Sequence, residues 1–192
     1  RNRSKDVQNL VREAINHAKD IVDFSILDGD DDGFVDCVHV VFAGEGLSSG
    51  STNSYIWPHK SKLSSPIQQN GIKAETYIIT PELQCKGLLA AMGTICHEIG
   101  HVLGAPDFYD KKGKFHAMGE YDIMDSGNKN GNGGDSSIKE CGYCPAHHNP
   151  YTKSYIFKWV TPQVIDSTNR TYVLKSSTQN ENQIYRVDTK TQ

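Results

Sequence analysis

The residues best suited to chemistry stand in one short stretch, which begins at His97 and reads HEIGHVLGAPD. Residues four apart on a helix share one face, so His97 and His101 can direct two imidazoles at one metal ion. Glu98 lies beside them, where a carboxylate can act as the base that activates water. Gly104 can adopt a positive φ, which ends the helix and brings Asp107 round as a third ligand. Three protein ligands with one position left for water are typical of a catalytic zinc site.

Spacing beyond the two histidines separates this motif from a chance match. A bare H-E-x-x-H pattern also occurs in amphipathic helices that carry two surface histidines. Here a Gly and an Asp follow at fixed offsets, and Met124 lies further on in the turn-rich segment 119–127. A thioether beneath the imidazoles would form an apolar, adaptable floor, so the segment is interpreted as a methionine turn.

An acidic loop at residues 28–36, DGDDDGFVD, is a second candidate metal site. Its spacing fits oxygen ligands at positions 1, 3, 5, 7 and 9 of a calcium loop, with Gly at position 6. These ligands are Asp28, Asp30, Asp32, the carbonyl of Phe34, and Asp36. Position 12 is His39 rather than the Glu of an EF-hand, so a related structural calcium loop is favoured. The alternative is an acidic turn in solvent.

Composition limits the classes of function. A chain of 192 residues forms one domain, or one domain of two small lobes around a cleft. The net charge of −3 argues against a nucleic-acid partner. No apolar run approaches the ~18 residues that a membrane span needs.

The five cysteines leave at least one thiol without a partner inside the chain. Cys96 is expected to be a small buried residue of the metal helix. Cys141-x-x-Cys144, followed by His147 and His148, is a weak pattern for a second metal site, so a disulfide or packed thiols are preferred.

Hydrophobic periodicity predicts the elements that must position these residues. Helices are expected at 4–22, 88–103 and 151–160, the last with Trp159 as a core aromatic. Strands are expected at 37–43, 56–59 and 73–80, with Pro81 stopping the third, and loops at 44–54 and 60–71. Gly93 and Gly100 inside the metal helix indicate close approach of another backbone. The glycine-rich run 127–134 is expected to be a mobile loop bordering the cleft.

These motifs resemble metzincin-clan zinc peptidases and, within that clan, the immune inhibitor A family of secreted bacterial metallopeptidases. The resemblance covers about residues 20–165. The segments that carry it are 97–107, Pro106–Asp110, Tyr121–Asp125, 28–36, Ile56–His59, Pro150–Lys153 and Trp159–Val160. The chain departs from the family in its five cysteines and in Phe157-Lys158, where a glycine is usual.

The resemblance implies zinc on His97, His101 and Asp107, Glu98 as general base and acid, and Met124 in the methionine turn. It implies an α+β fold with an α/β-type upper lobe, in which a twisted mixed sheet, a backing helix and the active-site helix lie over an irregular lower lobe with a C-terminal helix. The catalytic domain is expected at 1–165, with lobes at 1–104 and 105–165. Strands within 166–192 either close this domain or begin another.

The expected function is a secreted, extracellular zinc endopeptidase that hydrolyses protein or peptide substrates with zinc-activated water. Family members are made as precursors with an N-terminal pro-segment. A tyrosine can help to stabilise the oxyanion, and the sequence leaves Tyr109, Tyr121 and Tyr151 as candidates. Two other functions stay open: a calcium-stabilised binding module without catalysis, and a zinc hydrolase of a non-protein amide or ester.

Overall fold

The computed structural model describes residues 3–49, 56–84, 87–110, 112, 114–131, 141–165, 171–176 and 183–188. Its main elements, in chain order, are α1 (Arg3–Ala18), β1 (Val38–Glu45), β2 (His59–Gln69), β3 (Ile72–Gln84), β4 (Leu88–Leu89), α2 (Met92–Val102), β5 (Gln163–Ile165) and β6 (Tyr185–Val187). Short 3-10 helices lie at 24–27, 47–49, 119–121 and 126–129. This mixture confirms the predicted α+β class, while the two-lobe division and the domain bounds stay predictions.

A mixed sheet organises the first half of the chain. β3 lies in the middle, paired in parallel with β1 and antiparallel with β2, and β4 pairs with its far end. Tyr77 and Ile79 of β3 belong to the core beneath α1, so strand alternation directs Ile78 and Thr80 to the opposite face. All four are nearly inaccessible to solvent, as expected of a strand covered on both faces.

Helix α1 backs one face of this sheet. Val7, Val11 and Ile15 repeat every four residues and are buried against it. The helix ends at Ala18 rather than at the predicted residue 22. Past this point the side-chain amide of Gln69, at the end of β2, donates to carbonyl oxygens of the following turn, so tertiary contacts replace the last helical turn.

The predicted loop at 60–71 is wrong, because residues 59–69 form the long strand β2. The predicted strand at 56–59 contributes only His59 to it. β2 buries only Leu63 and Ile67 of its strand residues, so its apolar pattern is too sparse to read as a strand. Asn70 and Gly71 join it to β3 with φ angles of 50° and 91°, the geometry of a two-residue hairpin turn.

Strand β3 continues through Pro81 instead of stopping there. The last pair between β2 and β3 is His59 with Ile79. Pro81 lies beyond this pair, so β2 has no residue there that would need a hydrogen bond from the N–H that proline lacks. On the other side Pro81 pairs with Phe42, and the register of β1 shifts immediately afterwards. The irregular ladder thus accommodates a proline inside a central strand.

The predicted C-terminal helix at 151–160 is also wrong in form. The structure has a short π-helix, Thr152–Ile156, and Lys158 turns the chain away with a φ of 57°. Trp159 is 55% exposed, so it is not the expected core aromatic. Phe157 packs instead against the small core around Met124.

Two short strands follow the π-helix: β5 and β6 pair in parallel. Residues 171–175, which have a β-type composition, form no strand. Across the described helices, none combines the length and the apolar character that crossing a bilayer would require.

The hairpin turn generates a stability prediction. Gly71→Ala places a Cβ in open space but forces a positive φ on alanine, so the free energy of unfolding should fall by about 1–2 kcal/mol. Chemical denaturation measures this loss. Asn70→Gly, which keeps a residue tolerant of positive φ, should change stability by less than about 0.5 kcal/mol. Equal stability of Gly71→Ala and the unmodified chain would contradict this role of the turn.

Candidate metal centre

Helix α2 carries the candidate site, and it begins later than periodicity predicted. Leu88 and Leu89 pair with β3 as β4, so the helix starts only at Met92. No side chain caps this start, but the N–H of Gly93 donates to the carbonyl of Gly142 at 3.0 Å. The N-terminal end of α2 is therefore tied to the segment that begins at residue 141.

Two glycines allow α2 to lie close to its neighbours. A Cβ on Gly93 would overlap the carbonyl oxygen of Asn128, which confirms the predicted backbone approach. At Gly100 the prediction is wrong in kind, because the close neighbour is a side chain. A Cβ there would stand 2.5 Å from the sulfur of Met124.

Backbone carbonyls orient both imidazoles. Nδ1 of His97 donates to the carbonyl of Ile123 at 2.7 Å, and Nδ1 of His101 donates to that of Ala105 at 2.8 Å. With the protons on Nδ1, each Nε2 presents a free lone pair. These two nitrogens lie 3.2 Å and 3.1 Å from Oδ1 of Asp107.

Asp107 reaches this point because α2 ends where predicted. Gly104 has a φ of 98°, and the N–H of Ala105 donates back to the carbonyl of Gly100 at 2.9 Å. Oδ1 of Asp107 is buried and has no hydrogen-bond partner among the described residues. Two nitrogen lone pairs and one unpartnered carboxylate oxygen thus converge without a proton between them, which is a set of atoms that fits a bound cation.

The close approach of these residues also shifts the pKa values of His97 and Asp107. Burial lowers the pKa of His97, but the Asp107 carboxylate and the Ile123 carbonyl raise it more, so the net shift is upward. Burial raises the pKa of Asp107, while hydrogen bonding and the two imidazoles lower it by more. The negative charge of Asp107 that raises the pKa of His97 would also favour a cation bound between these groups.

Glu98 is buried beside the two histidines and lines a cleft of about 420 Å³. Burial raises the pKa of its carboxyl group, and the neighbouring imidazoles, including that of His59, partly oppose this rise. The backbone N–H of Lys60 in β2 also opposes the rise in the pKa of Glu98. A carboxylate with a raised pKa, facing open space beside a candidate metal site, is suited to accept and return a proton.

Met124 lies beneath α2 and is completely buried. It forms a small core with Ala105 and Ile123, against which Cys96 and Phe108 also pack. Cys96 is accordingly half-buried on the metal helix, and burial raises the pKa of its thiol.

Asp122 fixes the turn that presents Met124. Its carboxylate, itself fully buried, accepts from the backbone N–H of Met124 at 2.6 Å and from that of Asn149 at 2.8 Å. The same turn supplies the Ile123 carbonyl to His97, so one turn provides both the floor of the site and the orientation of a ligand.

Of the three candidate tyrosines, the structure brings one to the site. The ring of Tyr109 stacks on His97 with centroids 6.3 Å apart, and its hydroxyl lies near enough to Asp107 to respond to its charge. Burial and the Asp107 charge raise the pKa of Tyr109 to about 12. Tyr121 and Tyr151 are 87% and 58% exposed and do not line the cleft.

The lower wall of the cleft contains a pair that sequence reasoning missed. Nδ1 of His116 donates to the buried carboxylate of Asp125 at 2.6 Å. The same carboxylate accepts from the backbone N–H groups of Met118, Gly119 and Ser126 at 2.7–3.0 Å. Nothing in the sequence marks this pair, because its two residues meet through a loop with no periodic pattern.

The acidic loop is partly assembled. Carboxylate oxygens of Asp28, Asp30 and Asp32 lie within 4.8 Å of one another, whereas Asp36 is not in this group. Asp28 accepts from the N–H groups of Asp32 and Gly33 at 3.0 Å and 2.9 Å. The Phe34 N–H donates to Asp32 at 2.8 Å. Backbone N–H groups of the loop thus surround the carboxylates of Asp28 and Asp32.

The cysteines do not form the second metal site. Cys141 is disulfide-bonded, whereas Cys144 is free and exposed, so the two are not joined to each other. Cys37 and Cys96 are also free. Among the described residues, neither His147 nor His148 belongs to a group that could hold a metal.

The glycine-rich run is described only as far as residue 131, and its expected mobility stays a prediction. Residues 126–129 form a 3-10 helix, Gly127 is buried, and Asn128 and Lys129 line the cleft as the sequence suggested. The rest of that prediction, residues 132–134, lies outside the described residues.

The buried carboxylate of Asp125 generates a prediction. Burial raises the pKa of Asp125, but four donors led by His116 lower it more, so its folded pKa lies below the unfolded value. Asp125→Asn should lower the free energy of unfolding by about 2–3 kcal/mol near neutral pH, because an amide cannot satisfy all four donors. Thermal and chemical denaturation measure the loss.

The sign of the pH dependence follows from the depressed pKa. The difference in stability between the unmodified chain and Asp125→Asn should be full above the unfolded pKa of about 4 and shrink as pH falls through the folded pKa. Exposed Asp20→Asn is the control and should change stability by less than about 0.5 kcal/mol. A difference that is independent of pH would refute the assignment.

Comparison with known proteins agrees with the geometry. Residues 1–160 match the family model described as immune inhibitor A peptidase M6, catalytic domain. No match was found among curated proteins. The family match covers most of the chain and includes α2, Asp107 and Met124, which confirms the resemblance inferred from the motifs. The chain therefore belongs to the immune inhibitor A family of M6 metallopeptidases.

Proposed function

We propose that this chain is a zinc endopeptidase that cleaves protein or peptide substrates in the cleft beside α2. One observation carries the proposal: His97, His101 and Asp107 converge with free acceptor atoms next to the buried carboxylate of Glu98. Family membership supports peptide hydrolysis as the reaction class. The cleft is open to solvent at Trp57 and Lys129, both exposed, which suits access by a polypeptide.

The donor set supports zinc as the metal. Two imidazole nitrogens and one carboxylate oxygen suit zinc better than calcium or magnesium, which prefer all-oxygen sites. Zinc, when bound, supplies a Lewis acid that acidifies water and polarises the scissile carbonyl. His97, His101 and Asp107 would hold it, with the two imidazoles oriented by their carbonyl partners.

Glu98 handles the proton in this proposal. Its carboxylate accepts a proton from the attacking water and returns it to the departing amide nitrogen. Tyr109 is the candidate for oxyanion stabilisation, because its hydroxyl stays protonated at neutral pH and lies beside Asp107.

Secretion is proposed on two supports. Family resemblance implies an extracellular enzyme made with a pro-segment, and a disulfide at Cys141 suits an oxidising compartment. A structural calcium ion is proposed at Asp28, Asp30 and Asp32, where crowded carboxylates would otherwise repel one another.

The role of Glu98 is tested by Glu98→Gln in the zinc-loaded chain. The amide cannot accept the proton, so kcat/KM for denatured casein should fall at least about 100-fold while bound zinc stays near one equivalent. Asp107→Ala is the paired variant and should lose both zinc and activity. Full activity in Glu98→Gln would exclude it as the base, and unchanged zinc affinity in Asp107→Ala would exclude Asp107 as a ligand.

Calcium binding is tested by melting temperature. Adding Ca²⁺ at about 100 times its Kd should stabilise the chain by about 2.7 kcal/mol, because the ion binds the folded state. Asp30→Asn should remove most of this stabilisation, and Asp20→Asn, which changes an exposed carboxylate outside the loop, should keep it. If calcium does not change the melting temperature of the unmodified chain, the loop is an acidic turn in solvent and not a calcium site.

A further inference from the structure

The pair of His116 and Asp125 lies on the cleft wall apart from the candidate metal ligands. The side chain of Asp125 has no solvent exposure, whereas that of His116 is 51% exposed. Nδ1 of His116 donates to Oδ1 of Asp125 at 2.6 Å. Because Asp125 is buried, the edge of the ring that carries Nδ1 points inward, and the exposure of the ring falls on the edge that carries Nε2.

Backbone donors hold the Asp125 carboxylate in one orientation. Its Oδ2 accepts from the N–H groups of Met118 and Gly119 at 3.0 Å and 2.9 Å, and its Oδ1 also accepts from that of Ser126 at 2.7 Å. The carboxylate in turn fixes the imidazole of His116. A carboxylate at Nδ1 keeps the ring proton on that nitrogen and makes Nε2 more basic.

Nε2 of His116 is an acceptor on the cleft wall. A neutral imidazole with its proton on Nδ1 presents a lone pair at Nε2. Within the part of the chain that the structure describes, this nitrogen makes no hydrogen bond, and His116 belongs to no group of residues that could hold a metal. The ring lines the same cleft as Glu98. The acceptor is therefore open to a hydrogen-bond donor of a molecule bound in the cleft.

The donor that suits this acceptor best is a main-chain N–H of a peptide. Such a group carries no charge and recurs at every residue except proline, so one fixed acceptor serves substrates of different sequence. An arginine or lysine side chain would instead bring a positive charge into a cleft that exposed Lys129 also lines. Like charges repel, so an uncharged donor is favoured.

We propose that Nε2 of His116 accepts a hydrogen bond from a main-chain N–H of the bound substrate, with Asp125 as the positioning residue for His116. This inference rests on the proposed peptidase function and deepens it by naming a substrate-binding residue. A peptide held at this point as well as at the candidate metal centre is aligned along the cleft, which lowers the entropy cost of reaching the reactive geometry.

Ring spacings limit which N–H is accepted. The ring of Tyr109 lies 6.3 Å from that of His97 and 6.5 Å from that of His116. An extended peptide advances about 3.3 Å per residue, so the N–H belongs to a residue within about four positions of the bond that is cleaved.

The experiment uses the zinc-loaded chain at pH 8, where unperturbed histidines are neutral. The substrate is a peptide that spans one cleavage site mapped in denatured casein. Over about four residues on each side of the cleaved bond, one main-chain amide at a time is replaced by an ester, which removes the N–H and keeps the chain length. At one position the ester should lower kcat/KM for the cleaved bond about five- to tenfold, the range of one neutral hydrogen bond.

His116→Asn identifies the acceptor. Its amide nitrogen can still donate to Asp125, but the shorter side chain has no atom at the place of Nε2. At the sensitive position the amide/ester ratio of kcat/KM should fall below about twofold, while ratios at other positions stay as in the unmodified chain. His17→Asn, which changes an exposed histidine of α1 outside the cleft lining, is the matched control and should keep every ratio.

Asp125→Asn, assayed well below its melting temperature, tests the positioning role. Its amide NH2 meets backbone or imidazole donors in either orientation, so His116 loses its fixed place and the ratio at the sensitive position should fall toward one. A purely structural aspartate would lower kcat/KM equally for the amide and the ester peptide. An unchanged ratio in Asp125→Asn would therefore refute the positioning role.

The amide/ester ratio compares two substrates in one protein, so a variant that folds less well lowers both rates and leaves the ratio intact. If no position loses its ester penalty in His116→Asn, His116 accepts no substrate N–H and the proposal is wrong. Cleavage of neither peptides nor denatured casein by the zinc-loaded unmodified chain would overturn the peptidase function and this inference with it.

Discussion

Two backbone carbonyl oxygens decide whether the motif on α2 can act as a metal site. The carbonyls of Ile123 and Ala105 hold the Nδ1 protons of His97 and His101, which leaves both Nε2 lone pairs facing Asp107. Ala105 lies at the end of the same helix, but Ile123 is 26 residues from His97. The site therefore exists only when the turn at 122–127 is seated beneath α2.

The turn at 122–127 can lie beneath α2 because glycines let the two segments approach each other closely. Gly93 and Gly100 leave no room for a Cβ where α2 meets Asn128 and Met124. Gly127 does the same in the turn, where a Cβ would stand 2.5 Å from the carbonyl oxygen of Asp122. Each glycine lowers the propensity for regular structure by about 1 kcal/mol, a cost that the packing must offset.

Buried carboxylates take the place of a large apolar core in the second half of the chain. Among the described residues, the apolar cluster there has three buried members, Ala105, Ile123 and Met124, whereas the cluster under α1 has eleven. Asp122 and Asp125, both fully buried, instead collect backbone N–H groups from the turns around them. Such a region holds its shape through directed hydrogen bonds, which leave no hydrophobic period in the sequence.

The sequence by itself determined the parts of the structure that depend on local geometry. Helical spacing of His97 and His101 and the positive φ of Gly104 are properties of a few adjacent residues, so the convergence on Asp107 was predictable. The Asn70-Gly71 turn was equally local, and with it the strand β2 could have been recognised. Strand β2 was missed because most of its side chains face solvent and are polar.

Tertiary structure alone decided the contacts between segments that are distant in the chain. It placed Tyr109, rather than Tyr121 or Tyr151, at the candidate site, brought Lys60 near Glu98, and paired His116 with Asp125 on the cleft wall. It also ended the strand pairing of β2 before Pro81, which let β3 run on. These outcomes depend on how loops without periodicity pack, and hydrogen bonds across such loops have no signature in residue spacing.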